Sequence, residues 1–216
     1  MQSRGPASQR RESEASDTSR LETFSDGVFA IAITLLILDV RVPHVTHGLG
    51  SALLHQWPNY VAYVVSFLTI GVLWINHHRM FKLIVRTDHV FLVLNTIFLL
   101  VVAFVPFPTA LVAEYIRAPG ERTIAALAYG CTGLSLAIMF NALWWYASAR
   151  DHHLLVPGLD REAVRRSSRQ YLFGPLVYGI LTLVAFFAPI ISLASFAALV
   201  VFYTFPSRFN LARTEV

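Results

Sequence analysis

Six long apolar runs almost free of charge dominate the chain, at approximately 22–41, 57–78, 89–111, 123–148, 170–187 and 190–206. A helix that crosses about 30 Å of hydrocarbon needs about 20 mostly apolar residues, and charge, Pro or Gly bounds each run. None alternates apolar and polar residues as a barrel strand would, so helices are the reading. The last two runs are short and separated only by Ala188-Pro189, which leaves a single buried hairpin as the other way to draw them. Overall 56% of residues are apolar and 14% charged, against about 25% charged in soluble domains. The expectation is an all-α polytopic membrane protein with six transmembrane helices per subunit.

Polar residues collect at the beginning. Residues 1–19 contain no Leu, Ile, Val or Phe and are expected to be a flexible cytoplasmic tail. Glu12, Glu14, Asp17 and Glu22 are unlike a secretory leader, and the following run exceeds a 7–15-residue leader core, so it reads as a retained first span. The membrane domain is expected over 20–208, with 209–216 as a cytoplasmic C-terminal tail. Cytoplasmic loops carry the excess of Lys and Arg. With six spans and the N-terminus inside, only Arg41, Arg117 and Arg122 of the 17 basic residues fall outside. That asymmetry predicts a multi-pass protein of the cell membrane with both termini cytoplasmic, and it explains the net charge of +4 without nucleic acid. The basic run from Arg161 to Arg169 reads as a positive-inside loop, with contact to anionic headgroups as its other use. Cys131 is the only cysteine, which excludes an intrachain disulfide, a CxxC zinc site and an iron–sulfur site.

The first span opens R-L-E-T-F-S-D-G from Arg20. Ser25 and Asp26 stand near the positive end of a helix dipole, where they suit a cap. A carboxylate at the edge of hydrocarbon also needs a partner. Arg20 is one candidate; the second span offers Trp74, Asn76, His77 and His78 at the same depth if the two helices are antiparallel neighbours.

Arg20, Phe24, Ser25, Asp26 and Gly27 compose R-x-x-x-F-S-D-G, which resembles the signature of the transmembrane protein 175 family of potassium channels. The Trp74, His77 and His78 end of the second span and the six-span topology are similar too, so the resemblance covers about 20–206. It implies a homotetramer in the lipid bilayer whose four first helices line a central pore, with potassium as the permeant ion and no cofactor. It implies that Ile31, Leu35 and Leu38 form the narrow part, Ile31 being tightest, and that Thr34 contributes to selectivity. Positions 31, 35 and 38 do share one helical face, with Gly27 on the same stripe. The span is apolar all round, however, so this spacing alone does not single out a pore face. No T-V-G-Y-G filter is present; an apolar ring can gate by dewetting, and modest selectivity is the expectation. Arg20, Ser25, Asp26, Trp74, His77 and His78 are expected to form a hydrogen-bond network that holds the pore helix in register.

Other readings fare worse. His77-His78 and His152-His153 suggest a di-iron enzyme, but H-x-x-x-H and H-x-x-H-H clusters are missing. G-x-x-x-x-G-K-[ST], G-x-S-x-G and H-E-x-x-H are missing as well, leaving hydrolases and ATPases without residues. The expectation is no enzyme and no metal site. A proton-coupled cation transporter is the stronger alternative, since His and Asp at membrane depth can relay protons. Yet the span interiors offer mainly Asn95, Thr96, Ser135, Asn141 and Thr182, and no charge at mid-depth. Asn95 and Asn141 read as interhelical hydrogen bonds. A structural membrane protein without transport is compatible with the hydropathy alone.

Overall fold

The computed structural model describes residues 6–149 and 153–204, with 6–17, 163 and 170 as backbone only. The described residues form eight α-helices: α1 (Pro6–Leu35), α2 (Leu49–His55), α3 (Trp57–Phe81), α4 (His89–Phe104), α5 (Pro106–Tyr115), α6 (Arg122–Ser148), α7 (Arg161–Phe187) and α8 (Pro189–Thr204). A 3₁₀ turn, Leu36–Asp39, tightens the end of α1.

Five stretches are long and apolar enough to cross a bilayer: Thr18–Asp39, Trp57–Phe81, His89–Tyr115, Arg122–Ser148 and Val164–Phe187. The chain is a multi-pass membrane protein. The sixth expected span, α8, is apolar over 16 residues, about 24 Å at 1.5 Å per residue.

Three boundaries differ from the sequence reading. The backbone of α1 is already helical from Pro6, inside the segment expected as a tail; Ala, Gln, Glu and Arg are good helix formers, and a helix nucleated by the apolar span extends by one bond per added residue. Residues 1–5 and the expected C-terminal tail 209–216 lie outside the described residues, as does His152. The third span runs on to Tyr115, because Pro106 breaks α4 and then starts α5 at a position where a missing N–H costs nothing. The basic run 161–169 belongs to α7, with the Asp160 carboxylate accepting from the Glu162 backbone N–H at 3.0 Å.

Packing sets α1 and α7 on opposite sides of the bundle. Helix α1 lies on α3 and α4, α4 on α6, and α6 on α7, while α8 fills in against α3, α6 and α7. Phe29, Leu36, Ile70, Phe91, Phe98, Val102, Leu143 and Trp144 make the core between these layers. Helices α6 and α7 approach closely at Gly130, where an added Cβ would stand 2.8 Å from Thr182 Oγ1 and 3.2 Å from its Cβ. Thr182 is β-branched and cannot swing away. Gly130→Val is therefore expected to cost about 1–3 kcal/mol through overpacking, read as a lower unfolding temperature in detergent; an unchanged temperature would show that the two helices part freely.

At the same end of the bundle as the signature residues, two loops are joined. Val85 N–H donates to Leu154 O and Val156 N–H to Leu83 O, both at 2.9 Å, around an isolated antiparallel bridge of Ile84 with Leu155. Tyr146 O–H donates to Asp88 Oδ2 at 2.7 Å, and Asp88 Oδ1 caps α4 by accepting from Phe91 N–H at 2.8 Å.

Candidate functional site

The membrane portion of α1 has two opposed faces. Leu21, Ser25, Phe29, Ala32 and Leu36 are buried, spaced as one helical stripe, and this stripe lies against α3 and α4. The rest of the circumference is a broad exposed arc that takes in Thr23, Phe24, Gly27, Ala30, Ile31, Thr34, Leu35, Ile37 and Leu38, with Ile31 at 61%, Leu35 at 42% and Leu38 at 68%. An added Cβ on Gly27 would meet nothing within 4 Å. A single chain therefore presents, away from its own core, the stripe that the signature suggests for a pore.

Thr34 adds the one side-chain hydroxyl on that stripe's membrane interior. Its O–H is directed to Ala30 O at 3.0 Å and Ile31 O at 2.9 Å. With the proton held by the backbone, the oxygen lone pairs remain as acceptors on the outward side, the polarity a cation requires. The far end of the span is tied down by Asn59, whose Nδ2 donates to Asp39 O at 3.0 Å.

At the signature end the polar residues separate into two chains. The first is buried and runs in one direction: His77 Nε2–H donates to Asn95 Oδ1 at 3.0 Å, Asn95 Nδ2 to Ser25 Oγ at 2.9 Å, and Ser25 Oγ–H to Leu21 O at 2.8 Å. The Ser25 proton is committed to the backbone, so Asn95 must offer its amide to Ser25 and its carbonyl to His77. The histidine consequently carries its proton on Nε2. His77, Asn95 and Ser25 are wholly buried, and His77 Nδ1 has no partner among the described residues. Aromatic rings hold the imidazole: Phe81 at 4.3 Å, Phe29 at 5.4 Å and Phe98 at 5.6 Å between centroids. The chain links α1, α3 and α4 at one level and fixes the rotation of α1 about its axis.

The second chain is partly exposed. Trp74 Nε1–H donates to Asp26 Oδ1 at 2.9 Å, the Trp74 and His78 rings stack at 5.9 Å, and His78 Nδ1 lies 3.0 Å from Glu22 Oε1. Arg20 and Asn76, offered by the sequence as partners of Asp26, join neither chain among the described residues. Asn95 is the hub of the buried chain, and Glu22 closes the outer one; neither was among the residues expected in the network. An amide in the otherwise apolar α4 was the available signal for Asn95. Among the described residues, no three His, Cys, Asp or Glu side chains converge as metal ligands would.

Residues 20–106, which hold both chains and the outward stripe, match the family described as endosomal/lysosomal potassium channel TMEM175. A protein of Chamaesiphon minutus named as a potassium channel is 50% identical over 83% of this chain and 87% of its own length. The chain belongs to the TMEM175 family. A crystal structure described as a lysosomal potassium-selective channel TMEM175 homolog from the same organism superimposes with a TM-score of 0.80 at 44% identity, covering 88% of this chain and 97% of that one. The Gallus gallus protein named as an endosomal/lysosomal proton channel TMEM175 is 35% identical over 67% of this chain, which spans 31% of the bird protein's length. Membership in TMEM175 thus joins this chain both to small bacterial proteins of its own size and to one segment of larger animal ones.

Proposed function

We propose that the chain is the subunit of a homotetrameric cation channel of the cell membrane, crossing it six times with both termini in the cytoplasm. Four copies of α1 surround a central axis, and potassium passes between them down its gradient. Ile31, Leu35 and Leu38 make the apolar constriction, with Ile31 narrowest. Thr34 supplies oxygen acceptors beside it. The observation that carries this reading is the exposed side of α1, which holds Ile31, Leu35 and Leu38 while Leu21, Ser25, Phe29, Ala32 and Leu36 are packed. The bacterial relative's name and the signature support it.

The polar chains supply position rather than passage in this reading. Ser25, Asn95 and His77 sit on the packed side of α1, away from the stripe, so they hold the helix at the rotation that points Ile31 toward the axis. Asp26 and Trp74, with Phe24 and Gly27 of the signature, shape the wider entrance below the constriction.

Passive conduction is tested with purified protein in liposomes. Potassium flux is expected to follow the potassium gradient and to ignore an imposed proton gradient, and the particle in detergent is expected to contain four chains. Flux that stops without a proton gradient would assign the chain to the proton-coupled transporters instead, and a strict monomer would remove the pore. The animal relatives' name makes proton permeation a second reading of the same route, checked by pH change inside potassium-free liposomes.

A further inference from the structure

Helix α7 is the most outlying of the five long spans: 12% of its apolar stretch is buried within the chain, against 22–33% for the others. Its exposed side is continuous. Leu172, Leu176, Ile180, Leu183 and Phe187 are all exposed and follow one another at spacings of three and four residues, one helical face. Ser167, Thr182 and Ala185 are buried on the face behind. Because α1 packs at the opposite side of the bundle, the Leu172–Phe187 face looks toward acyl chains when α1 faces an axis.

Continued past Leu172 toward the helix start, the same face carries Arg169 and Arg165. At 100° per residue both lie within about 40° of the line through Leu176 and Leu183, and both are exposed. The helix cannot rotate them away, since Trp144 Nε1–H donates to Ser168 Oγ at 2.8 Å and Asn141 Nδ2 donates to Tyr171 O at 2.8 Å. Depth agrees with the facing. Arg169 and Arg165 lie about 4.5 Å and about 10 Å beyond Leu172 along the axis, at the polar end of the Val164–Phe187 span. The nearby Arg166 is already bonded to Glu162 at 2.9 Å; no such carboxylate holds Arg165 or Arg169 among the described residues. Two guanidinium groups one helical turn apart can grip a phosphate with several charge-assisted hydrogen bonds.

We propose that Arg165 and Arg169 form a binding site for the phosphate headgroup of an anionic phospholipid, whose acyl chains lie along the Leu172–Phe187 face of α7. The site belongs to the leaflet at the signature end of the bundle, where the basic residues gather. It anchors the outer side of each subunit.

Native mass spectrometry of delipidated protein, titrated with phosphatidylglycerol, phosphatidylcholine or inorganic phosphate, tests the site. Phosphatidylglycerol is expected to remain bound in preference to phosphatidylcholine. Removing both charges with Arg165→Gln and Arg169→Gln is expected to weaken it about twenty-five-fold, at about fivefold for each arginine. Arg166→Gln is expected to leave it unchanged, and the double lysine variant to keep the preference. Equal retention of the two lipids, or a double glutamine variant that still prefers phosphatidylglycerol, would overturn the proposal. So would inorganic phosphate binding as tightly as the lipid, which would make this a free-anion site. The readout is bound lipid, so this outcome and that of the flux experiment are independent.

Discussion

Liposomes containing Ile31→Asn protein are expected to admit sodium at a rate well above that of the unaltered chain. Ile31 is 61% exposed and stands midway along the outward stripe, where, in the proposed tetramer, an aliphatic ring would exclude water and make an ion shed part of its hydration. Four amides at that level would offer hydrogen bonds in place of a dry wall, and the ion that holds its water more tightly gains most. Each 1.4 kcal/mol or so removed from the barrier raises the rate about tenfold, so a modest change in wetting gives a large signal. Potassium flux should rise less, and the ratio should fall toward that of free diffusion. Unchanged sodium entry in folded Ile31→Asn protein would place the constriction elsewhere. The matching substitution on the packed face, Ala32→Asn, is no substitute for this test, because Ala32 is buried and an amide there would disturb the fold.

The second large effect is expected at Asn95. Replacing it with Leu removes the acceptor of His77 Nε2–H and the donor to Ser25 Oγ in one step. Interhelical hydrogen bonds within membranes average only about 0.6 kcal/mol, but leaving a buried donor unmade costs about 1–3 kcal/mol. Asn95→Leu should therefore lower the unfolding temperature more than loss of an ordinary polar contact would. It should also reduce the fraction of assembled particles, since α1 would lose its rotational lock. Replacing both partners with apolar groups of similar shape can be close to neutral, and His77 already lies among Phe29, Phe81 and Phe98. The double variant Asn95→Leu with His77→Phe is accordingly expected to recover much of the loss. If the pair is additive, the two residues do not act through one another.

Long apolar helices were legible because a bilayer demands a length that few other structures need, and charge at their ends marks where they stop. Short or interrupted elements were not. Helix α2 has seven residues and no apolar run to announce it. The third run was drawn only to 111, yet the span continues to Tyr115 through a proline that ends one helix and begins the next at no cost in donors. The run from Arg161 looked like a loop, since charge was the dominant signal; its alternation of Arg with Glu and Ala suits a helix equally well. At the site, the motif drew attention to Asp26, Trp74, His77 and His78, and the structure adds which pairs with which. Asn95 was visible as a polar residue in an apolar helix, but its part as hub depends on α4 standing beside α1, a tertiary fact. Likewise the outward direction of Ile31 was hidden in a span apolar on every side. Only the buried series Leu21, Ser25, Phe29, Ala32 and Leu36 distinguishes front from back.

The bridge between Leu83–Val85 and Leu154–Val156 has a mechanical consequence. It rivets the turn after α3 to the turn before α7, and Tyr146 with Asp88 adds a strut from α6 to α4. The ends of α3, α4, α6 and α7 are thereby joined into one plate, with α1 held against it through Ser25 and Asn95. In the proposed tetramer, a widening at that mouth would have to carry these joined ends along together.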